Sequence, residues 1–128
     1  MSGQPPATPT ERELEILQVL WDSGPSTVAQ VHAQLTEVRR VGYTSVLKML
    51  QLMAGKGLVL RDTSRHAHVY RSALDRDQVE SQLTEDFLDR VFRGSAVSLV
   101  SRLFGSSRLS DQELDEVRRL LNEETGDG

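Results

Sequence analysis

Between Leu14 and Trp21 apolar residues return every three or four positions, with Leu14, Ile16, Leu17, Val19, Leu20 and Trp21 marking one side of a helix. Thr10 and Glu13 stand before that stripe at the spacing of a capping box, in which each side chain satisfies the other residue's backbone N–H. Ser23-Gly24-Pro25 ends the helix. Ser26 or Thr27 opens a second one, with Gln30 three residues beyond Thr27 and Val28, Val31 and Leu35 as its apolar positions. The polar and basic stretch from Thr36 to Gly42 reads as a turn, and a third helix is predicted from Tyr43 to Ala54. Gly55-Lys56-Gly57 closes it, because glycine tolerates the left-handed conformation that ends helices. The period then changes. Leu58–Asp62 and His68–Arg71 are strand-like runs on either side of a turn at Thr63–Arg65, which together predict a β-hairpin.

Three helices followed by a hairpin is the order of a winged helix-turn-helix. After it the pattern is helical again. Asp75 and Gln78 read as a cap for a helix from Arg76 to Phe92, with Val79, Leu83, Phe87, Leu88, Val91 and Phe92 apolar. Gly94-Ser95 breaks it. A short helix from Ala96 to Phe104 carries Val97, Leu99, Val100, Leu103 and Phe104, and a last one, capped by Ser110 and Glu113, carries Leu114, Val117, Leu120 and Leu121. About fifty residues in short helices cannot bury stripes this broad alone. A second subunit is the economical cover, with Leu83, Phe87, Val91, Leu99, Leu103, Leu114, Val117 and Leu121 as candidate interface residues; packing onto the N-terminal domain is the alternative. The expected fold is mainly α: a disordered tail over 1–9, a winged helix-turn-helix domain (three helices plus β-hairpin) over 10–74, a helical dimerisation domain over 75–124 and a tail over 125–128.

Composition narrows the chemistry. Hydrophobic residues make up 38% of the 128 and aromatics 5%, enough for an aliphatic core. There is no cysteine, which excludes thiolate zinc sites, disulfides and cysteine nucleophiles. No apolar run approaches the roughly 18 residues of a membrane span, and Met1–Pro9 lacks the basic and apolar regions of a signal peptide, so a cytoplasmic protein without membrane insertion is expected. The net charge is −4, but it is unevenly spread. Arg39, Arg40, Lys48, Lys56, Arg61, Arg65 and Arg71 fall in a window whose only acid is Asp62, whereas from Asp75 onward thirteen acids outnumber seven bases. A basic middle suits phosphates, and an acidic C-terminal part is repelled by them.

On the third helix, Val46, Met49, Leu50 and Met53 fall on one side and Thr44, Lys48 and Gln51 on the other, with Tyr43 and Leu47 on one flank and Ser45 on the opposite one. Short polar and basic side chains near a helix N-terminus suit a DNA major groove: Lys48 reaches guanine acceptors or a phosphate, Gln51 pairs with adenine, and Tyr43, Thr44 and Ser45 donate to phosphates. Arg61, Arg65, His66 and Arg71 lie on or near the hairpin, which as a protruding cationic element suits a phosphate backbone or minor groove. Arg39 and Arg40, in the turn before the third helix, complete the expected DNA-contacting set. His66 and His68 alternate on one strand and invite a metal reading, but with His32 the only other histidine and no cysteine, hydrogen bonding to phosphate is preferred and neither metal nor cofactor is expected. No glycine-rich phosphate loop, nucleophile elbow or His/carboxylate cluster is present, so no enzyme is expected. A protein-docking winged helix is the competing class; it has no need of a basic third helix and a basic hairpin together.

The run Thr10–Leu17, then Leu20-Trp21, Thr27-Val28 and Val31-His32, resembles the N-terminal half of the penicillinase repressor family, which includes the methicillin-resistance repressors. Tyr43–Leu47 and Lys56–Val59 are similar to its recognition helix and first wing strand. Phe87-Leu88, Phe92, Gly94-Ser95, Leu99-Val100 and Glu113-Leu114 are similar to its C-terminal part. The similarity spans about Thr10 to Asn122. It implies a homodimeric repressor on palindromic double-stranded operators, of the kind linked to antibiotic resistance. For many members it also implies release when a membrane-bound sensor metalloprotease causes cleavage in the C-terminal part. The position cut in relatives falls here at Arg102-Leu103, the candidate proteolysis site, and departs from the family pattern. Copper sensing through a C-terminal cysteine site, as in related repressors, is excluded by the absence of cysteine.

Overall fold

A computed structural model describes residues 8–126. The expected N-terminal tail falls largely on residues 1–7, and the end of the C-terminal tail on 127–128; both lie outside the described residues. The elements run α1 (Glu11–Ser23), β1 (Ser26–Thr27), α2 (Val28–Thr36), α3 (Tyr43–Lys56), β2 (Val59–Asp62), β3 (Val69–Ser72), α4 (Arg76–Phe92), α5 (Ala96–Gly105) and α6 (Asp111–Gly126). The helix pattern is thus as the periodicity predicts, with α6 running on through Thr125 to Gly126.

The caps do what their spacing implies. Thr10 and Glu13 at α1, and Thr27 and Gln30 at α2, form complete capping boxes. At α6, Ser110 Oγ accepts from the Glu113 N–H at 3.1 Å while Glu113 accepts from the Ser110 N–H at 3.3 Å. At the end of α3, Gly57 takes φ 82°, Leu58 N–H returns to the Met53 carbonyl and Gly57 N–H to that of Ala54. This Schellman closure brings Leu58 beside Met53 in the core.

The wing differs from the expected hairpin by one strand. Ser26 and Thr27, whose role as a helix cap was legible, also pair antiparallel with Tyr70 and Val69, giving a three-stranded sheet of order β1-β3-β2. β3 is therefore central, which explains why Tyr70 is buried. The core gathers Ile16, Leu17 and Leu20 from α1, Val28, Val31 and Leu35 from α2, Val46, Leu50 and Met53 from α3, and Leu58, Val59 and Tyr70 from the wing. Leu14 and Trp21, on the apolar stripe read from the sequence, are half-buried. Trp21 keeps its indole N–H near the surface, where it donates to Ser72 Oγ at 3.0 Å and the Leu74 carbonyl at 3.1 Å, tying α1 to the end of the wing.

Glu13 is the one charged core residue among the described side chains. One carboxylate oxygen accepts from the Thr10 N–H at 2.9 Å, and the other accepts from Lys56 Nζ at 2.6 Å, joining the start of α1 to the end of α3. Burial pushes its carboxyl up, but the Lys56 hydrogen bond and charge and the Thr10 hydrogen bonds outweigh it, so Glu13 titrates below its ordinary range. A carboxyl held low in the folded state contributes stability above its unfolded value and loses it as pH falls through the folded one. Glu13→Gln keeps the capping geometry and loses the ion pair. It is expected to cost about 1 kcal/mol near neutral pH, with the difference from the parent chain shrinking as both are acidified. Urea melts across a pH series check this; a difference independent of pH contradicts it.

The chain forms two units, one through Leu83 and one from Thr84. The division falls inside α4, later than the 74/75 boundary read from the sequence. The first turns of α4 belong with α1: Val79 is buried, Arg76 pairs with Asp22 at 3.3 Å, and its guanidinium lies 5.8 Å from the centre of the Trp21 ring. In the second unit, none of the described side chains from Thr84 to Glu124 is buried.

Candidate nucleic-acid interface

α3 presents one apolar and one polar face, as its spacing predicts. Val46, Leu50 and Met53 are buried, Met49 and Leu47 are half-buried, and Thr44, Ser45, Lys48 and Gln51 are exposed. The turn before it is fastened by two side chains. His32 Nε2 donates to the Val41 carbonyl at 2.9 Å, and its ring meets Tyr43 edge-on at 5.8 Å. That contact holds the first residue of α3 against α2 while leaving Tyr43 48% exposed. Neither role of His32 was read from the sequence; its place on α2 just before the turn is the signal that was there.

Arg39, one of the expected DNA-contacting set, is held by an ion pair. Its Nε and Nη2 lie 3.0 Å and 2.9 Å from Glu15 Oε1, and this pair anchors the turn to α1. Lys56, in the same basic window, is held by Glu13. Arg40, Lys48, Arg61, Arg65 and Arg71 have no ion pair among the described residues.

The register of the wing sorts the remaining cations. Arg61 faces Tyr70 across the β2–β3 pair, and Leu60 faces Arg71. Cross-strand partners share a face. Arg61 therefore lies on the side of the buried Tyr70, and Arg71 lies on the opposite side with half-exposed Leu60. Arg71 thus shares a sheet with Arg61 but not a face. Asp62, the lone acid of the window, shapes the tip. Its Oδ1 accepts from Ser64 Oγ at 2.7 Å and from the Ser64 N–H at 2.9 Å, and those two bonds, with the charges of Arg65 and Arg71 adding less, hold its carboxyl below the ordinary range. An acid spent on a turn leaves Arg65 exposed beyond it.

Between α3 and the wing runs an open groove of about 350 Å³, lined by Tyr43, Leu47 and Gln51 from α3, Arg61, His66 and His68 from the wing, and Thr27 at the start of α2. Six of the residues singled out in the sequence for phosphates or bases, with His68, thus border or adjoin one surface: Tyr43, Gln51, Arg61 and His66 line it, while Thr44 and Lys48 stand on the exposed face of the same helix. No cluster of His and carboxylates fit to hold a metal occurs among the described residues.

The second unit carries apolar surface instead. Of the expected interface set, Phe87, Val91, Leu103 and Leu121 are exposed, and Leu99, Leu114 and Val117 are half-buried; Leu83, also half-buried, falls in the first unit. Val97 (77% exposed), Val100, Phe104 and Leu120 join them although the set omitted them. For Val97, Val100 and Phe104 the signal was α5 itself, apolar around much of its circumference; Leu120 lies on the apolar stripe of α6. Arg102 and Leu103 are exposed, in the last turns of α5. Among the described residues, no helix is long and apolar enough to cross a membrane.

Residues 9–123 match the family model described as Penicillinase repressor. The chain is 34% identical over 118 residues to the transcriptional regulator BlaI of Mycobacterium tuberculosis, covering 91% of this chain and 85% of that protein. It is 19% identical over 111 residues to a penicillinase repressor of Staphylococcus aureus, covering 87% and 88%. Its fold is similar to the solution structure of Bacillus licheniformis BlaI in monomeric form in complex with the blaP half-operator, with TM-score 0.50 and 19% identity over 57% of this chain and 89% of that one. The chain belongs to the penicillinase repressor family, whose members are transcriptional repressors and not enzymes.

Proposed function

We propose that the protein is a repressor that binds palindromic operator DNA as a homodimer. The α3 face of Thr44, Ser45, Lys48 and Gln51 enters the major groove, and the wing, through Arg61, Arg65 and His66, lies along the adjoining backbone. The observation that carries this reading is the groove in which Tyr43, Gln51, Arg61 and His66 meet on one side of the winged helix. Arg40, exposed in the turn before α3, adds positive charge, and Arg71 contributes long-range charge from the far face of the wing. Arg39 acts through the turn that it fastens.

The second unit supplies the pairing. Helices without a buried side chain need an apolar partner, and a second copy offers the same surface. Release follows from cleavage at Arg102-Leu103 after a membrane-bound sensor metalloprotease has acted. A cut there separates α6 from the rest of the chain and removes one side of the pairing surface.

The test is selection from a pool of random duplexes, followed by titration. A two-fold-symmetric consensus is expected. Lys48→Ala is expected to cost about 1–3 kcal/mol and to relax one position in each half-site. A pool that yields no symmetric sequence, or a Lys48→Ala protein with unchanged affinity and preference, contradicts the assigned face.

A further inference from the structure

The groove between α3 and the wing holds two of the chain's three histidines. His66 and His68 line it together with Arg61, Tyr43, Tyr70 and Gln51. Neither ring has a hydrogen-bond partner among the described residues, unlike His32, which is spent on the Val41 carbonyl. The charged and titratable groups that border the two rings are Arg61 from β2, Tyr43 from α3 and Tyr70 from β3. No carboxylate lines the groove. Asp62, the nearest acid along the chain, pairs with Val69 on the opposite face of the wing and is held by Ser64. In the free protein, then, Arg61 is the one charged side chain that lines the groove beside the two rings.

We propose that His66 and His68 are phosphate-contact residues that take up protons when duplex DNA binds, so that affinity rises as pH falls through the histidine range. The inference rests on the groove being the DNA interface. A phosphodiester strand laid along it is the counter-charge that the groove lacks. An imidazolium can donate from both ring nitrogens, and a charge-assisted bond to phosphate is stronger than one from a neutral ring. An ordinary histidine is half-charged near pH ~6.5, so modest stabilisation of the charged form moves protonation across the neutral range. If the complex holds more protons than the free protein, lowering the pH drives binding, with a limit of about tenfold per pH unit for each proton gained. His68, for which the sequence favoured a hydrogen-bonding role over a metal one, thereby joins the contact set.

The experiment titrates the full chain with a mixed-sequence duplex of about 30 base pairs at fixed low salt, where phosphate contacts dominate, across pH ~7.5 to ~5.5. Affinity is expected to rise about tenfold over that range. The His66→Gln, His68→Gln double variant is expected to bind more weakly than the parent and to lose the rise, the gap between the two widening as pH falls, because glutamine still donates but takes no proton. His32→Gln is expected to keep the rise, and thermal melts at each pH exclude partial unfolding as its source. A parent chain that fails to bind the duplex at any pH removes the DNA-interface reading itself. Binding with a flat pH profile, or a rise that survives the double substitution, overturns this inference and leaves that reading in place.

Discussion

A chain ended after Arg93 is expected to bind a two-half-site operator about 100-fold or more weakly than the full chain. The reason is geometric rather than local. The winged-helix core is assembled from residues up to Tyr70, with Val79 as the last buried side chain, so the shortened protein keeps every base and phosphate contact proposed above. What it loses is the covering surface of α5 and α6. In a dimer, the first half-site contact holds the second recognition helix at high effective concentration; in a monomer, each half-site is bound from dilute solution. The full chain should therefore lose its advantage on a duplex carrying a single half-site, where both proteins bind alike. Val97→Asp with Val100→Asp tests the same idea without shortening anything. Val97 is 77% exposed, so a charge there is harmless to an isolated subunit and costly only where a partner covers it. Sedimentation and mobility shift on both duplexes decide the matter. Equal affinities for the full and shortened chains on the two-half-site duplex would show that these helices do not pair the subunits, and cleavage in α5 would lose its physical basis as a switch.

The elements that could be read in advance were those whose signal is local. Capping boxes at Thr10, Thr27 and Ser110 name their partners three residues away, and the Gly57 terminus and the α3 stripe need no distant residue to be recognised. β1 could not be read in this way. Two residues, Ser26 and Thr27, make a strand only because β3 lies beside them, more than forty positions away along the chain. Within the site, the exposed face of α3 followed from its period alone. The wing needed its register: Arg61 and Arg71 look equivalent as a sequence of basic residues, and only the pairing of Arg61 with Tyr70 and of Leu60 with Arg71 separates them. Arg39 and Lys56 counted as free positive charge until their partners, Glu15 and Glu13, were found on another helix. Charge summed along a window overstates the field at a surface whenever tertiary ion pairs consume part of it.

Tyr70→Ala is expected to destabilise the winged-helix unit by about 3–5 kcal/mol, while Leu60→Ala, on the strand next to it, costs under about 0.5 kcal/mol. The contrast isolates burial from strand position. Tyr70 is 1% exposed, in register with Ser26 on one side and Arg61 on the other, and packs into the core shared by all three helices. Its ring is the largest fully buried side chain among the described residues, so its loss leaves the largest cavity. Leu60 is 44% exposed on the opposite face, where truncation removes little that was hidden from water. Since a small domain has about 5–15 kcal/mol of total stability, the Tyr70 change consumes a large share of it. For a domain of this size it lowers Tm by roughly 15–30 °C. The sheet also carries Arg61, and His66 and His68 lie in the loop that leads into β3, so DNA binding by Tyr70→Ala should fall with temperature in step with unfolding and recover on cooling. Fluorescence of Trp21, the single tryptophan, reports the melt, because its indole is bonded to Ser72 and Leu74 at the end of β3. A Tyr70→Ala protein that melts with the parent would mean that the wing is not anchored through this ring, and the account of how the fold positions Arg61, His66 and His68 would have to be rebuilt from another contact.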